Sequence, residues 1–319
     1  MRCCLGVCAV FCLSSLFAQD TTIRTTVPLV VLPTGVTDRR GHPIPGLTAS
    51  DFVLLDNARP KPVNADVIES GLAPIALVVL IQTSDISLSA LAKIRKVGAM
   101  IPEAVVGENG EAAVVTFDER INVVQDFTRD ADQITSAFAG LKPSDAMGGH
   151  MIDAVDQALT LLAHRPGSRR SNILIIGESK DRGSKSKLTD LQGKLQHTGV
   201  TIYALPYSAY LTPFTTKPED YAPSGGNLLT GIVELARLAK QNTADVLTEV
   251  TGGTVARFET KAKLEKDLLQ VAADVHNRYL VSFVPDQDAP PRFHSITLKI
   301  KDHPNAIVRT RPGYWAGLR

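Results

Sequence analysis

Hydrophobic and polar positions along this chain fall into three textures. From Thr21 to about Glu69, short apolar stretches are broken by turn formers. Residues 27–36 are β-rich, Asp38-Arg39-Arg40-Gly41 reads as a turn, and Pro43, Pro45, Pro60 and Pro62 leave no room for a long helix. From Pro74 the pattern becomes one of near-continuous apolar runs at 75–81, 112–117, 172–176 and 200–205, the form taken by strands buried on both faces. Between the runs apolar residues recur at helical spacing: Leu88, Leu91, Ile94, Val97 and Ile101, then Met151, Ile152, Val155, Leu159 and Leu162. Ile232, Leu235 and Leu238 follow, and then Leu264, Leu268, Val271 and Val275. Strands alternating with helices predict a doubly wound α/β sheet, mostly parallel and flanked by helices.

The tail reverts to β: 278–284, a Pro/Asp-rich turn to Pro291, an alternating Ile296-Leu298-Ile300 strand, and 306–311 after a His303-Pro304-Asn305 turn. Neither terminal segment has enough strands for a stable sheet pair of its own. The expected organisation is therefore a leader at 1–18, an N-terminal β segment at 19–70, the α/β unit at 71–277 and a C-terminal β segment at 278–319. The two β segments are expected to join into one small domain, the alternative being two separate appendages on the sheet edges.

Composition narrows the function classes. Hydrophobic residues make up 44% and charged residues 21%, and 34 Lys+Arg against 33 Asp+Glu leave +1, which excludes a disordered polyelectrolyte and a basic nucleic-acid binder. Met1 and Arg2 precede an apolar run from Cys3 to Ala18 that stops at Gln19-Asp20, the form of a secretory signal peptide. The run is shorter than the roughly 20 residues of a membrane-spanning helix, so the mature chain is expected to be exported to the periplasm or beyond the cell, without a transmembrane segment. All 4 cysteines, Cys3, Cys4, Cys8 and Cys12, lie in that leader, which removes thiolate metal sites, redox pairs and disulfides from the body.

Ligands of open α/β sheets bind outside the carboxyl ends of the strands. The loops at those ends read Gln82-Thr83-Ser84-Asp85-Ile86-Ser87, Gly148-Gly149-His150 and Gly177-Glu178-Ser179-Lys180-Asp181. Their text and the order of elements resemble the von Willebrand factor type A domain, and more closely a bacterial group of exported proteins, the VWFA-related acidobacterial domain. The resemblance spans nearly the whole mature chain. It includes Val36-Thr37-Asp38-Arg39-Arg40-Gly41-His42-Pro43-Ile44-Pro45-Gly46-Leu47-Thr48 with Asp51-Phe52, Thr251-Gly252-Gly253 before the last sheet strand, Arg278-Tyr279-Leu280 and Arg311-Pro312-Gly313-Tyr314-Trp315.

The resemblance implies a metal-ion-dependent adhesion site, in which Asp-x-Ser-x-Ser, a Thr after two glycines and a further Asp hold Mg²⁺ in an array of hard oxygens. This chain departs from that set. Gln82 stands for the first Asp, Ser84 agrees, Ile86 replaces the second Ser, His150 the Thr and Glu178 the last Asp. Ile86 offers no donor atom, and imidazole suits zinc or copper better than Mg²⁺. The expectation is a degenerate site with no cofactor, in which Gln82, Ser84, His150 and Glu178 hydrogen-bond one another. A surviving metal would fall to Ser84, Asp85 and Glu178, with Asp181 as a substitute.

Two enzyme motifs nearly appear in the same loop. Gly177 to Asp181 departs from a nucleophile elbow at its last position, and Gly177 to Gly183 with Ser184-Lys185-Ser186 is one residue too long for a phosphate loop. The 7 histidines include no His-x-x-x-His pair. A long Pro- and Gly-rich loop at 207–227 carries Tyr207, Tyr210, Phe214 and Tyr221, aromatic anchors suited to recognition. The sequence thus points to an exported, non-catalytic binding protein for a protein or peptide partner, with no nucleic acid. The alternatives are a metal-dependent adhesion module with atypical ligands and a secreted serine hydrolase using Ser179 or Ser84.

Overall fold

A computed structural model describes residues 29–66, 74–84, 88–165, 170–207, 242–286 and 292–316. The expected leader, the helical pattern around Leu235 and most of the aromatic loop lie outside these residues.

The first strands among the described residues are β1 (Val30–Thr37), β2 (Phe52–Asp56), β3 (Arg59–Lys61) and β4 (Asn64–Asp66). The α/β unit follows with β5 (Ile75–Gln82), α1 (Leu88–Val97), β6 (Glu111–Phe117), β7 (Ile121–Thr128), α2 (Ala131–Ala139), α3 (Met151–Ala163), β8 (Arg170–Gly177), α4 (Leu188–Gln196), β9 (Thr201–Pro206), α5 (Thr243–Thr251) and α6 (Lys261–His276). The chain closes with β10 (Tyr279–Phe283), β11 (Phe293–Ile300), β12 (Ile307–Arg309) and β13 (Gly313–Trp315).

The central sheet has the order β7-β6-β5-β8-β9. β6, β5, β8 and β9 run parallel, in a register that sets Val79 beside Val114 and Leu174, and β7 is antiparallel at the edge. The apolar run of β5 is buried at every position because both faces are covered. Ile75, Leu77, Val79 and Ile81 pack with α1, α2 and α6, whereas Ala76, Val78 and Leu80 pack with α3, α4 and α5. The alternation within one strand therefore divides the core between two helical layers. This is the doubly wound architecture the periodicity predicts.

Around it the details shift. The helical pattern expected to reach Ile101 ends at Val97 and continues as tight and then wide turns at Gly98–Met100 and Ile101–Val106. Gly98 lies where a Cβ would meet Phe138 at 2.2 Å, and Pro102 is tolerated only where a new helical segment starts. The strand expected after Thr251-Gly252-Gly253 is reduced to single bridges from Val255 to Ala204 and from Phe258 to Tyr207. Gly252 takes a left-handed φ of 72° there, ending α5.

The terminal segments pair with each other. One sheet has the order β12-β1-β10-β4 and the other β13-β11-β2-β3. Val281 and Leu32 of the first sheet and Leu54 and Leu298 of the second belong to one buried cluster. Strands of the two terminal segments thus share both sheets and one buried cluster, the β unit. β11 shows why: its residues are buried at every second position, as the Ile296-Leu298-Ile300 alternation requires of a strand with one wet face.

Candidate functional site

Strands β5 and β8 deliver Gln82 and Glu178 side by side at the carboxyl edge, because each is the polar residue that ends or follows an apolar run. The Glu178 amide donates to Gln82 Oε1 at 2.9 Å, and this fixes which way the amide group faces. Gln82 Nε2 then points at Ser84 Oγ (3.2 Å) and the Glu178 carboxylate (3.5 Å). Two glycines make the space: a Cβ on Gly149 would meet Gln82 Nε2 at 2.8 Å, and one on Gly177 would meet Gln82 Oε1 at 3.0 Å.

Glu178 is paired from the outside by Arg182, with Nη2 at 2.9 Å from one carboxylate oxygen and 2.8 Å from the other. The Arg182 backbone in turn exchanges two hydrogen bonds with Gly149, at 2.9 and 3.0 Å, which ties the loop after β8 to the loop before α3. Three of the four expected partners, Gln82, Ser84 and Glu178, therefore meet. His150 does not join them. Its Nδ1 lies 3.9 Å from Asp153 Oδ2, and Gly183 leaves room for its ring at a place where a Cβ would lie 2.8 Å from Nε2.

Asp181 is committed elsewhere. Its Oδ1 accepts from the Ile152 amide (3.0 Å) and the Ser184 hydroxyl (2.6 Å), which caps the first turn of α3. Asp153 binds the amides of Lys185 (2.8 Å) and Ser186 (2.9 Å). Burial pushes the Asp153 carboxyl up, but the Ser186 hydroxyl, those two amides and His150 outweigh it and hold the group below its ordinary value.

These donors do not fit a divalent cation. The expected Asp position presents an N–H donor, and the Glu178 carboxylate already faces a guanidinium. Among the described residues no three His, Cys, Asp or Glu side chains converge. Asp85 and Ile86 lie outside the described residues.

Next to this apex the β6–β7 hairpin and the segment after α2 enclose an open cleft of about 1030 Å³. Asp118, Arg120, Val124, Leu141, Ser144 and Ala146 are among its lining. Burial raises the Asp118 carboxyl, while the Ser144 hydroxyl and the amide and guanidinium of Arg120 bring it below the usual range. Val124, in that lining, is 46% exposed, and Met147, which follows the lining residue Ala146 in the chain, is 74% exposed.

The aromatic expectation needs one correction. Tyr207 is buried, with its ring edge-on to Phe258 at 6.3 Å, so it is a core residue and not an exposed anchor. Its backbone amide continues the sheet by donating to Gly177. Tyr210, Phe214 and Tyr221 lie outside the described residues.

Arg182 and Asp118 were not singled out by the sequence. Asp118 directly follows an apolar strand, the same positional signal that marks Gln82. Arg182 stands four residues after Glu178 in a loop, where nothing but distance in space announces the pair. Neither Ser84 nor Ser179 has a histidine partner among the described residues, and Ser84 is fully buried.

No family model matches this chain, and no curated protein matches it. Solved structures are similar to it at low identity. The conserved hypothetical protein BatB from Bacteroides thetaiotaomicron is 14% identical, with 63% of this chain and 98% of that one covered and a TM-score of 0.45. A von Willebrand factor type A protein from Catenulispora acidiphila is 13% identical, with 95% and 76% covered and a TM-score of 0.46. An aerotolerance-related membrane protein from Bacteroides fragilis is 15% identical, with 62% and 98% covered and a TM-score of 0.43. Among the described residues of the present chain no helix is long and apolar enough to cross a membrane.

Proposed function

We propose that this chain is an exported, non-catalytic binding protein that takes a protein or peptide partner at the carboxyl edge of its central sheet, without a divalent metal. The observation that carries this reading is the division of labour at that edge. The polar apex is closed on itself by Gln82, Ser84, Glu178 and Arg182, and the adjoining cleft is open and edged by exposed apolar side chains. An open, concave site with exposed apolar side chains at its edge suits recognition of a partner chain. Neither Ser84 nor Ser179 has a histidine to activate it among the described residues, so hydrolysis by either has little support.

A displayed library of random peptides, panned on the immobilised chain, tests the proposal. Clones retained by the natural protein should be lost on a Val124→Asp, Met147→Asp variant that melts normally. Clones that bind both proteins equally, or no enrichment at all, would count against this edge. Labelling of the natural protein by a fluorophosphonate serine probe would favour the hydrolase instead.

A further inference from the structure

The motifs Thr251-Gly252-Gly253, Arg278-Tyr279-Leu280 and Arg311-Pro312 take no part in the carboxyl edge. They meet at the seam between the α/β unit and the β unit. Arg278 is buried, 6% exposed, where α6 passes into β10, and its guanidinium reaches both units at once. It donates to Tyr203 Oη of β9 (2.9 Å) and to Asp274 Oδ2 of α6 (2.8 Å). It also donates to the carbonyl of Pro33 on β1 (3.1 Å) and to that of Gly252.

Glycines let the backbones close over this group. A Cβ on Gly35 of β1 would meet Asp274 Oδ1 at 2.6 Å, and one on Gly252 would meet the Thr310 backbone at 2.7 Å. At the far end of the seam Arg311, 1% exposed, donates to the carbonyls of Gln196 (2.8 Å) and Thr198 (2.6 Å) at the end of α4.

Two units on one chain ordinarily move and unfold separately unless their interface is extensive and dry. We infer that this glycine-and-arginine seam locks the β unit to the α/β unit as one rigid, cooperatively unfolding body. Its place in the fold follows from the contacts. Arg311 and Trp315 reach α4 and the loop before β9, at the amino end of that strand, so the β unit holds the sheet from the pole opposite the cleft.

The sole tryptophan, Trp315, lies on β13 of the β unit, while the described α-helices all belong to the α/β unit. Urea unfolding followed by tryptophan fluorescence and by helical ellipticity therefore reads the two units apart. The inference expects one coincident transition in the natural protein. Gly252→Ala should split it, with the tryptophan midpoint falling at least about 0.5 M below the helical one. Gly46→Ala is the control: Gly46 has the same kind of positive φ, 78°, but nothing within 4 Å of a Cβ, so backbone strain alone should leave the transitions together.

Should Gly252→Ala not fold, Arg278→Lys replaces it, since an ammonium cannot span Pro33 and Gly252 together. Separate transitions in the natural protein would overturn the inference. So would a seam variant whose transitions stay together as they do in Gly46→Ala.

Discussion

Gln82 shows how much one residue decides. An aspartate there would add a second carboxylate beside Glu178 and call for a cation; the amide instead gives its oxygen to the Glu178 amide and its nitrogen to Ser84. Because the side chain is fully buried and its partners would be left unsatisfied, Gln82→Ala should lower stability by about 1–3 kcal/mol, read by denaturant melting. The rule that sites follow strand ends picks out the loops of Gln82, Ser84 and Glu178, and the resemblance picks out the residues within them. Neither picks out Arg182, because its role depends on a turn that brings it back over Glu178. His150 was misread for a related reason: Gly183 opens a niche that draws its ring away from Glu178. A residue-scale test of the backbone lies in the β2–β3 turn, where Asn57 and Ala58 both have positive φ, 47° and 65°. Glycine adopts that conformation without Cβ strain, so Ala58→Gly should stabilise the protein by up to about 1 kcal/mol in the same assay.

Elements built from strong periodicity were read well, and those built from exposed or interrupted sequence were not. β5 and β8 declare themselves by unbroken apolar text, whereas β7, an edge strand with no buried residue and two register shifts, shows neither helical nor alternating pattern. The start of α3 was recognised by spacing, but not what secures it, since its caps come from a distant loop. Asp153, in that first turn, holds the 185–186 backbone and has a folded pKa below its ordinary value. A carboxyl so depressed stabilises the fold fully above the unfolded value, about 3.9, and that contribution is lost as pH falls through the lower folded value. Asp153→Asn should therefore flatten the fall of stability with acid below about pH 4, measured as melting temperature against pH. At the other end of the unit, the Thr260 hydroxyl accepts from the Lys263 amide at 3.1 Å and caps α6. Thr260→Ala should cost about 1 kcal/mol of stability in denaturant unfolding.

At the scale of the whole molecule, the joining of the two terminal segments could be argued from the sequence only because neither has enough strands to stand alone. Which strands pair was invisible, since the contacts lie more than two hundred residues apart in the chain. The observed pairing of β2 with β11 and of β1 with β10 makes a definite forecast. Deleting residues 19–70 should strip hydrogen-exchange protection from 296–300 while leaving β5 and β8 protected; unchanged protection there would mean the C-terminal strands are self-sufficient. We propose that the carboxyl edge works without a divalent metal because the Gln82 amide and the Arg182 guanidinium already satisfy the Glu178 carboxylate. It is tested most directly by melting the natural protein, and the restored variant Gln82→Asp, Ile86→Ser, His150→Thr, Glu178→Asp, in millimolar Mg²⁺ and in chelator. A ligand that binds only the folded state at a hundredfold excess over Kd stabilises it by about 2.7 kcal/mol, an effect visible in the melting curve. No Mg²⁺ shift is expected in the natural protein and a clear one in the restored variant; a Mg²⁺-dependent rise in the natural protein would show that the edge holds a cation after all.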